Sequence, residues 1–348
     1  MAASVNIMFY NLENLYDTTK DAGIDDDEFT PTGTKRWDTI KYQTKLGNLA
    51  NVFAAVSALP GGFPAIVGVS EIENDRVLED LLSQNRLSAA NYRYVHYDSN
   101  DARGVDVALF FRPDRFKLEG SEPVKLVLRS GREYIGRDIL CVWGRLDGEM
   151  FCFYVCHFLS RRGGVYASQG FRRAGAETVR DHAAGMRAKF PGIKVVVMGD
   201  MNDTPDEASL AELLRAREHI DKVGEGEYFN PMWAMYKAGL GTSIHNHNWI
   251  LFDNIIVSRN LLPAEAGYSN AKGLVLNKFD KRFWANIFQR NFMMRGGKPF
   301  RSWEGNYFSG GYSDHLPILI RLGIRQSGAA GLGREPATAS FPQEQQLM

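Results

Sequence analysis

Hard oxygen donors and imidazoles gather at the ends of apolar segments in this chain. The clearest case is Lys194–Pro205 (KVVVMGDMNDTP), where a strand-like run stops at a glycine and delivers Asp200 and Asn202 almost side by side. Turns favour Gly, Asp and Asn for conformational reasons, so this segment alone is open to a structural reading. Similar ends recur, however. Val5–Tyr10 leads into Asn11 and Glu13, Ala65–Ser70 (AIVGVS) into Glu71, and Met150–Val155 towards His157. Asp253 opens DNIIVS, and Asp314 and His315 stand just before Leu316–Leu322. One such end is a turn, whereas this many argue for a site on one rim of a sheet. Carboxylates and amides suit Mg²⁺, with Mn²⁺ or Ca²⁺ as alternatives, better than zinc. A hard cation near Glu71 would polarise a phosphoryl oxygen. An aspartate would orient or deprotonate water while histidines contact nonbridging oxygens. No serine or cysteine nucleophile elbow is present, which makes water the economical nucleophile.

Other residues carry a functional and a structural reading together. Asp106, inside VDVALFF, needs a partner; it either orients His157, pairs with Arg103, or serves structure alone. Arg161 and Arg162, beside two glycines, either clamp a substrate phosphate or decorate a solvated loop. Trp249 and Trp303 either stack a base or sugar or pack in the core. His245 and His247, at i and i+2 in SIHNHNWI, would share a strand face, but a third metal ligand is lacking. The acidic run Asp25–Glu28 reads as a solvated loop. The basic, aromatic stretch Lys272–Lys298 reads as a substrate or membrane edge, or as a helix and loop packed on the core.

The elements that must position these residues alternate only in part. Strands are expected at 5–10, 65–70, 105–111, 139–146, 150–158, 194–198, 253–258 and 316–322, and helices at 37–59, 77–85, 172–190 and 209–217. Asp147-Gly148 marks a hairpin turn. Several strands follow one another directly, as in a mixed α/β protein with paired sheets. With neither a midpoint linker nor an internal repeat, one domain over residues 3–323 and a low-complexity tail over 324–348 are expected. The chain has 348 residues, 44% hydrophobic and 24% charged, with zero formal net charge. That balance lowers the prospect of a nonspecific polymer binder and keeps small phosphate esters level with nucleic acid. Cys152 and Cys156, four strand steps or roughly 13 Å apart, cannot bridge each other; buried free thiols are expected. No apolar run reaches transmembrane length, and no signal peptide is evident, although a trimmed secreted form fits the same start. The compartment is left open, and a monomer is expected.

The motifs YNLENLYD (10–17), GVSEIEN (68–74), RGVDVALFFR (103–112), CHFLSRRGG (156–164), GDMNDTP (199–205), FDNIIVS (252–258) and GGYSDHLPI (310–318) together resemble the endonuclease/exonuclease/phosphatase superfamily, the deoxyribonuclease I-like fold. Their order covers the chain from residue 5 to about 322, and they look most like a bacterial branch known only at superfamily level. The resemblance implies an α/β (α+β) four-layer sandwich, two mixed sheets face to face with helices outside, and a site at one end. It implies Mg²⁺ or Mn²⁺ and in-line attack of water on phosphorus. It assigns Glu71, Asn11 and Asp314 to the metal side, and Asp200 to the water. Asn202 would hold the phosphate or nucleophile, Asp253 would orient His315, and His157 and His315 would bracket the phosphate. Glu13 stands where some members have Asp. The chain departs from the branch at His157-Phe158-Leu159-Ser160, usually nearer to histidine-tryptophan-proline-serine, and at Met201, usually phenylalanine. These changes touch the pocket wall rather than the polar groups. The expected activity is hydrolysis of a phosphodiester. A phosphomonoesterase acting on a sugar, nucleotide or inositol phosphate, and an inactive binding protein, are the alternatives.

Overall fold

The computed structural model describes residues 4–263 and 273–324; the tail expected over 324–348 lies outside them except for Ile324, which ends the strand Ile318–Ile324. The strands β1 (Ser4–Leu15), β2 (Ile66–Ile72), β3 (Arg93–His96) and β4 (Asp106–Phe111) belong to one seven-stranded sheet. They run in the order β1-β2-β4-β3 and are extended past β1 by Ile318–Ile324 and then Leu274–Asn277, with Ala285–Ile287 also pairing to Ile318–Ile324. The second seven-stranded sheet takes β5 (Phe116–Val124), β6 (Ile139–Leu146), β7 (Glu149–His157) and β8 (Lys194–Asp200) in sequence, then Asp253–Ser258, Tyr228–Phe229 and Ala216–Arg217.

Period-two alternation assigns each strand two buried faces. Ile7 and Phe9 of β1, Val107 and Leu109 of β4, Phe153 and Val155 of β7, and Val196 and Met198 of β8 share one core between the sheets. Met8 and Tyr10 turn to the opposite side, under α1 (Thr39–Val56) and α2 (Asp75–Leu82). Cys152, Tyr154 and Val197 turn outward under α3 (Val165–Lys189). Helix, sheet, sheet and helix therefore stack as four layers. Asp38 and Asn74 cap α1 and α2, accepting from Lys41 N at 2.9 Å and Val77 N at 3.1 Å. Gly68 lets the sheets approach, since a Cβ there would lie 2.7 Å from Met198 Sδ.

Some expectations fail. The helix expected at 209–217 is a single wide turn at Ser209–Leu213 followed by the strand Ala216–Arg217. The Lys272–Lys298 stretch, where described, packs on the core mainly as strands rather than as a helix and loop: it supplies Leu274–Asn277 and Ala285–Ile287 to the first sheet, one short 3-10 turn at Asn291–Met293, and the small hairpin Met294–Arg295/Lys298–Pro299. Two further hairpins, Ser243–His245/Asn248–Ile250 and Trp303–Glu304/Tyr307–Phe308, stand off the large sheets. Asp26 is buried and holds Lys20, so the acidic run is not wholly solvated. All three cysteines are buried and free. No helix among the described residues is long and apolar enough to cross a membrane.

Candidate active site

Continuing the core-facing alternation past the last apolar residue explains where the polar groups lie. On β7 the inward series Phe151, Phe153, Val155 ends on His157; on β8 Val196, Met198 ends on Asp200; on the neighbouring strand Val257, Ile255 ends on Asp253. Pairing register sets these three level, His157 opposite Asp200 and Asp253 opposite Asp200. In the other sheet, Asn11 of β1 pairs with Ser70 of β2, after which the register shifts. Glu13 (φ 52), Asn14 (φ 51) and Glu71 (φ 61) adopt left-handed backbone in this irregular stretch, as does Asn202 (φ 48) after β8. Such conformations are costly for residues with side chains and cluster at functional sites. Here the distortion turns Glu71 towards the other sheet.

The groups converge around one oxygen. Asp200 Oδ2 accepts from Asn11 Nδ2 at 3.2 Å and lies 3.8 Å from Nε2 of both His157 and His315. His157 Nε2 is 3.9 Å from Glu71 Oε1. His315 Nδ1 and Asp253 Oδ2 are 2.7 Å apart, and Thr242 Oγ1 donates to the same Asp253 oxygen. Asp200, Asp253 and His315 offer ligand atoms within 4.8 Å of one another.

Burial and charge separate the histidines. Burial, then the Arg137, Arg103 and His315 charges, hold His157 well below the ordinary imidazole pKa. Burial pulls His315 down as well, but the Asp253 carboxylate, helped by Asp314 and Asp200, outweighs it and leaves the pKa well above the ordinary value. Burial and the Asp253 charge push Asp200 up to about 7. One imidazole is thus neutral and the other cationic beside an aspartate poised near neutrality.

Of the residues expected in the site, Asp200, His157, His315, Asp253, Asn11 and Glu71 come together. Asn11 Nδ2 donates to Glu71 (3.3 Å) and Asp200, while its Oδ1 accepts from Glu13 N (2.9 Å). Glu71 Oε2 accepts from Asn14 N at 2.8 Å. Asn202 shapes the turn, its N–H donating to Asp200 Oδ1 (3.0 Å) and its Nδ2 to Phe158 O (2.9 Å). Asp314 is engaged by Arg301 at 3.2 Å, and the same arginine reaches Glu13 at 3.1 Å. Glu13 is buried and pushed up to about 7 by burial and the Asp314 charge. Lys45, also buried, donates to Ser302 Oγ at 2.7 Å.

Others are not where expected. Asp106 neither orients His157 nor pairs with Arg103; it binds Ser99, because its parity on β4 turns it away from the inter-sheet core. Arg103 remains nearby, half exposed and 3.8 Å from Asp101. Arg161 Nε and Nη2 donate to Asn202 O, Asp203 and Glu207 at 2.6–2.9 Å, which ties this side chain to the turn after β8. Arg162 is exposed. Trp303 is a core residue between Phe29, Trp37 and Phe308, whereas Trp249 is partly exposed on its hairpin. His245 and His247 do not share a strand face, because His247 (φ 66) sits in the turn.

Residues without a sequence signal complete the site. Arg137 donates to the carbonyls of His157 (3.0 Å) and Phe158 (3.4 Å). Thr242 anchors Asp253, and Ser313 Oγ donates to Asn11 O at 2.7 Å. Arg137 and Thr242 lie outside every motif, and Ser313 lies within GGYSDHLPI, where its place just before Asp314 was the hint.

Glu71 and Asp200 present carboxylate oxygens to the same Asn11 amide nitrogen, at 3.3 and 3.2 Å, and carboxylate oxygens of this kind fit a hard divalent cation.

No curated protein sequence matches the chain. Solved structures resemble it throughout. An endonuclease/exonuclease/phosphatase family protein from Bacteroides thetaiotaomicron has a TM-score of 0.56 at 17% identity, covering 93% of this chain and 99% of that one. The human Nocturnin catalytic domain has a TM-score of 0.53 at 17% identity, covering 93% and 96%. D. rerio TDP2 complexed with single-strand DNA product has a TM-score of 0.53 at 13% identity, covering 92% and 100%. At these identities the likeness speaks for the fold. The sequence itself matches the Endonuclease/Exonuclease/phosphatase family over residues 6–323, and the chain therefore belongs to that family.

Proposed function

We propose that the protein is a divalent-metal-dependent hydrolase that cleaves a phosphodiester by in-line attack of water. The observation that carries this reading is the slot around Asp200 Oδ2, where His157 and His315 each stop 3.8 Å short. That distance is too long for a direct hydrogen bond and leaves room for a substrate oxygen or the attacking water between them. Asp200 takes the water proton as the new P–O bond forms and the bond to the leaving oxygen breaks. The cationic His315, held by Asp253, faces the negative charge that develops on the phosphoryl oxygens, and neutral His157 donates a hydrogen bond from the other side. A cation held by Glu71 would supply Lewis-acid polarisation when bound.

A diester is favoured over a monoester by the surface next to Asp314. A pocket there is lined by Arg295, Lys298 and Arg301 together with Phe300. Cationic and aromatic groups beside the reacting centre suit a substrate that continues past the scissile phosphate. The DNA product bound by the D. rerio neighbour is in keeping with this.

The test compares bis-p-nitrophenyl phosphate with p-nitrophenyl phosphate, using Mg²⁺, Mn²⁺ or a chelator. Plasmid DNA, RNA, short nucleotides, sugar and inositol phosphates and sphingomyelin follow. Metal-dependent turnover with the diester preferred is expected. Inactivity of metal-loaded protein on every ester would overturn the enzyme reading, and a monoester preference would overturn the diester.

A further inference from the structure

A second cluster lies on the opposite face of the first sheet. On β3, Val95 faces the inter-sheet core, so His96 turns to the helix side, as does Asp106 beside Val107 on β4. His96 pairs with Ala108, close to the start of β4. There the His96 side chain is only 2% exposed, and its Nε2 has no hydrogen-bond partner. The buried nitrogen points at two carboxylates, Asp98 Oδ1 and Asp106 Oδ2, each 3.8 Å away. The three ligand atoms lie within 4.8 Å of one another.

We propose that His96, Asp98 and Asp106 bind a first-row divalent cation of the Zn²⁺, Co²⁺ or Mn²⁺ class, separate from the catalytic centre. The separations are the first argument. At 3.8 Å the atoms are too far apart to hydrogen-bond. An ion roughly 2.0–2.2 Å from nitrogen and oxygen ligands spans such a gap. The outer contacts are the second. His96 Nδ1 lies 3.0 Å from Asp75 Oδ1 at the start of α2, the carboxylate–imidazole pairing that fixes the tautomer and orientation of metal-bound histidines. Ser99 holds Asp106 through its N–H at 3.2 Å and its hydroxyl. The mix of one imidazole with two carboxylates favours a transition metal over Mg²⁺. Two protein carboxylates and one imidazole leave the remaining positions to water.

The cation would pin the 97–105 loop to β3 and β4. That loop carries Asp101, which lies 3.4 Å from Arg137 Nη1, and Arg137 in turn holds the His157 carbonyl. The site would thus brace the backbone behind His157 without touching substrate.

The experiment titrates chelator-stripped full-length protein with Co²⁺, following visible absorption and stoichiometry by calorimetry. Asp98→Asn, His96→Gln and Glu71→Gln are compared with the wild type. Asp98 is 85% exposed, so its variant should keep the fold, checked by circular dichroism. Asp98→Asn and His96→Gln should each lose the same one equivalent of Co²⁺ and the Tm rise that accompanies it, while Glu71→Gln retains that equivalent. If His96→Gln does not fold, Asp98→Asn decides alone. Unchanged Co²⁺ uptake in Asp98→Asn, or loss of all uptake in Glu71→Gln, would overturn the proposal and leave His96 as an imidazole among carboxylates.

Discussion

Replacing Asp253 with asparagine removes a buried charge 2.7 Å from His315 Nδ1 while leaving an oxygen to accept the same hydrogen bond. Unit charges centred about 4 Å apart interact by about 4 kcal/mol at an effective dielectric of about 20, or roughly 3 pKa units. Burial, the largest influence on His315, is then opposed only by the weaker Asp314 and Asp200 charges, and the pKa falls. The proposed mechanism needs Asp200 ionised, above about 7, and His315 protonated, below its raised pKa. In Asp253→Asn both conditions move to lower pH, because the Asp253 charge also helps to raise Asp200. The expected result is an optimum shifted to acid and a fall in kcat of about 10²–10⁴ at neutral pH. Diester hydrolysis with saturating Mg²⁺ from pH 5 to 9 measures both, with Tm as the folding control. A folded variant within threefold of wild type at every pH, with an unshifted profile, would refute the role given to the His315–Asp253 pair.

Glu73 offers a stability test. Its carboxyl is pushed up to about 8, chiefly by burial, despite accepting from Asp17 N at 2.7 Å. A raised folded-state pKa means that stability is greatest below the ordinary carboxyl value and is lost as pH rises through about 8. Denaturant unfolding between pH 5 and 8 should therefore show a slope of at most about 1.4 kcal/mol per pH unit from this group, absent in Glu73→Gln; equal slopes would contradict the assignment. Gly199→Ala would set a Cβ 2.1 Å from the backbone oxygen of Cys156, whereas at Gly68 the nearest atom is the mobile Met198 sulfur. Overpacking typically costs about 1–3 kcal/mol, and the rigid contact should put Gly199→Ala above that range. Its Tm should fall further than that of Gly68→Ala, with activity also lost because His157 and Asp200 flank the strained pair.

Much of the site was legible because strand alternation carries on past the core. Asp200, His157 and Asp253 each close a series of inward-facing apolar residues, so their convergence follows from parity and register. Parity also explains the misreading of Asp106. Both faces of β4 are buried, one under the other sheet and one under α2, so VDVALFF does not reveal which side is which. Arg161, Arg137, Thr242 and Arg301 take their roles from tertiary approach, with partners 41, 20, 11 and 288 residues away. Tyr228–Phe229 and Ala216–Arg217 are too short to show a period. The apolar spacing of 209–217 suggested a helix, but the chain leaves Ser209–Leu213 to add an edge strand beside Tyr228–Phe229.

The row formed by His157, Asp200 and Asp253 occupies three neighbouring strands of a large sheet, while Trp249, Arg295 and Lys298 ride on two-stranded hairpins outside both large sheets. Amide exchange should accordingly be slowest along the row and much faster on the hairpins. On the proposed function, the division has a consequence for divergence: bond cleavage and substrate choice would reside in parts of different mechanical stiffness. Hairpins can be lengthened, trimmed or exchanged with little disturbance to the reacting groups, so relatives with the same row can come to act on quite different esters. Grafting a hairpin from one such relative onto this frame is a direct route to a changed substrate.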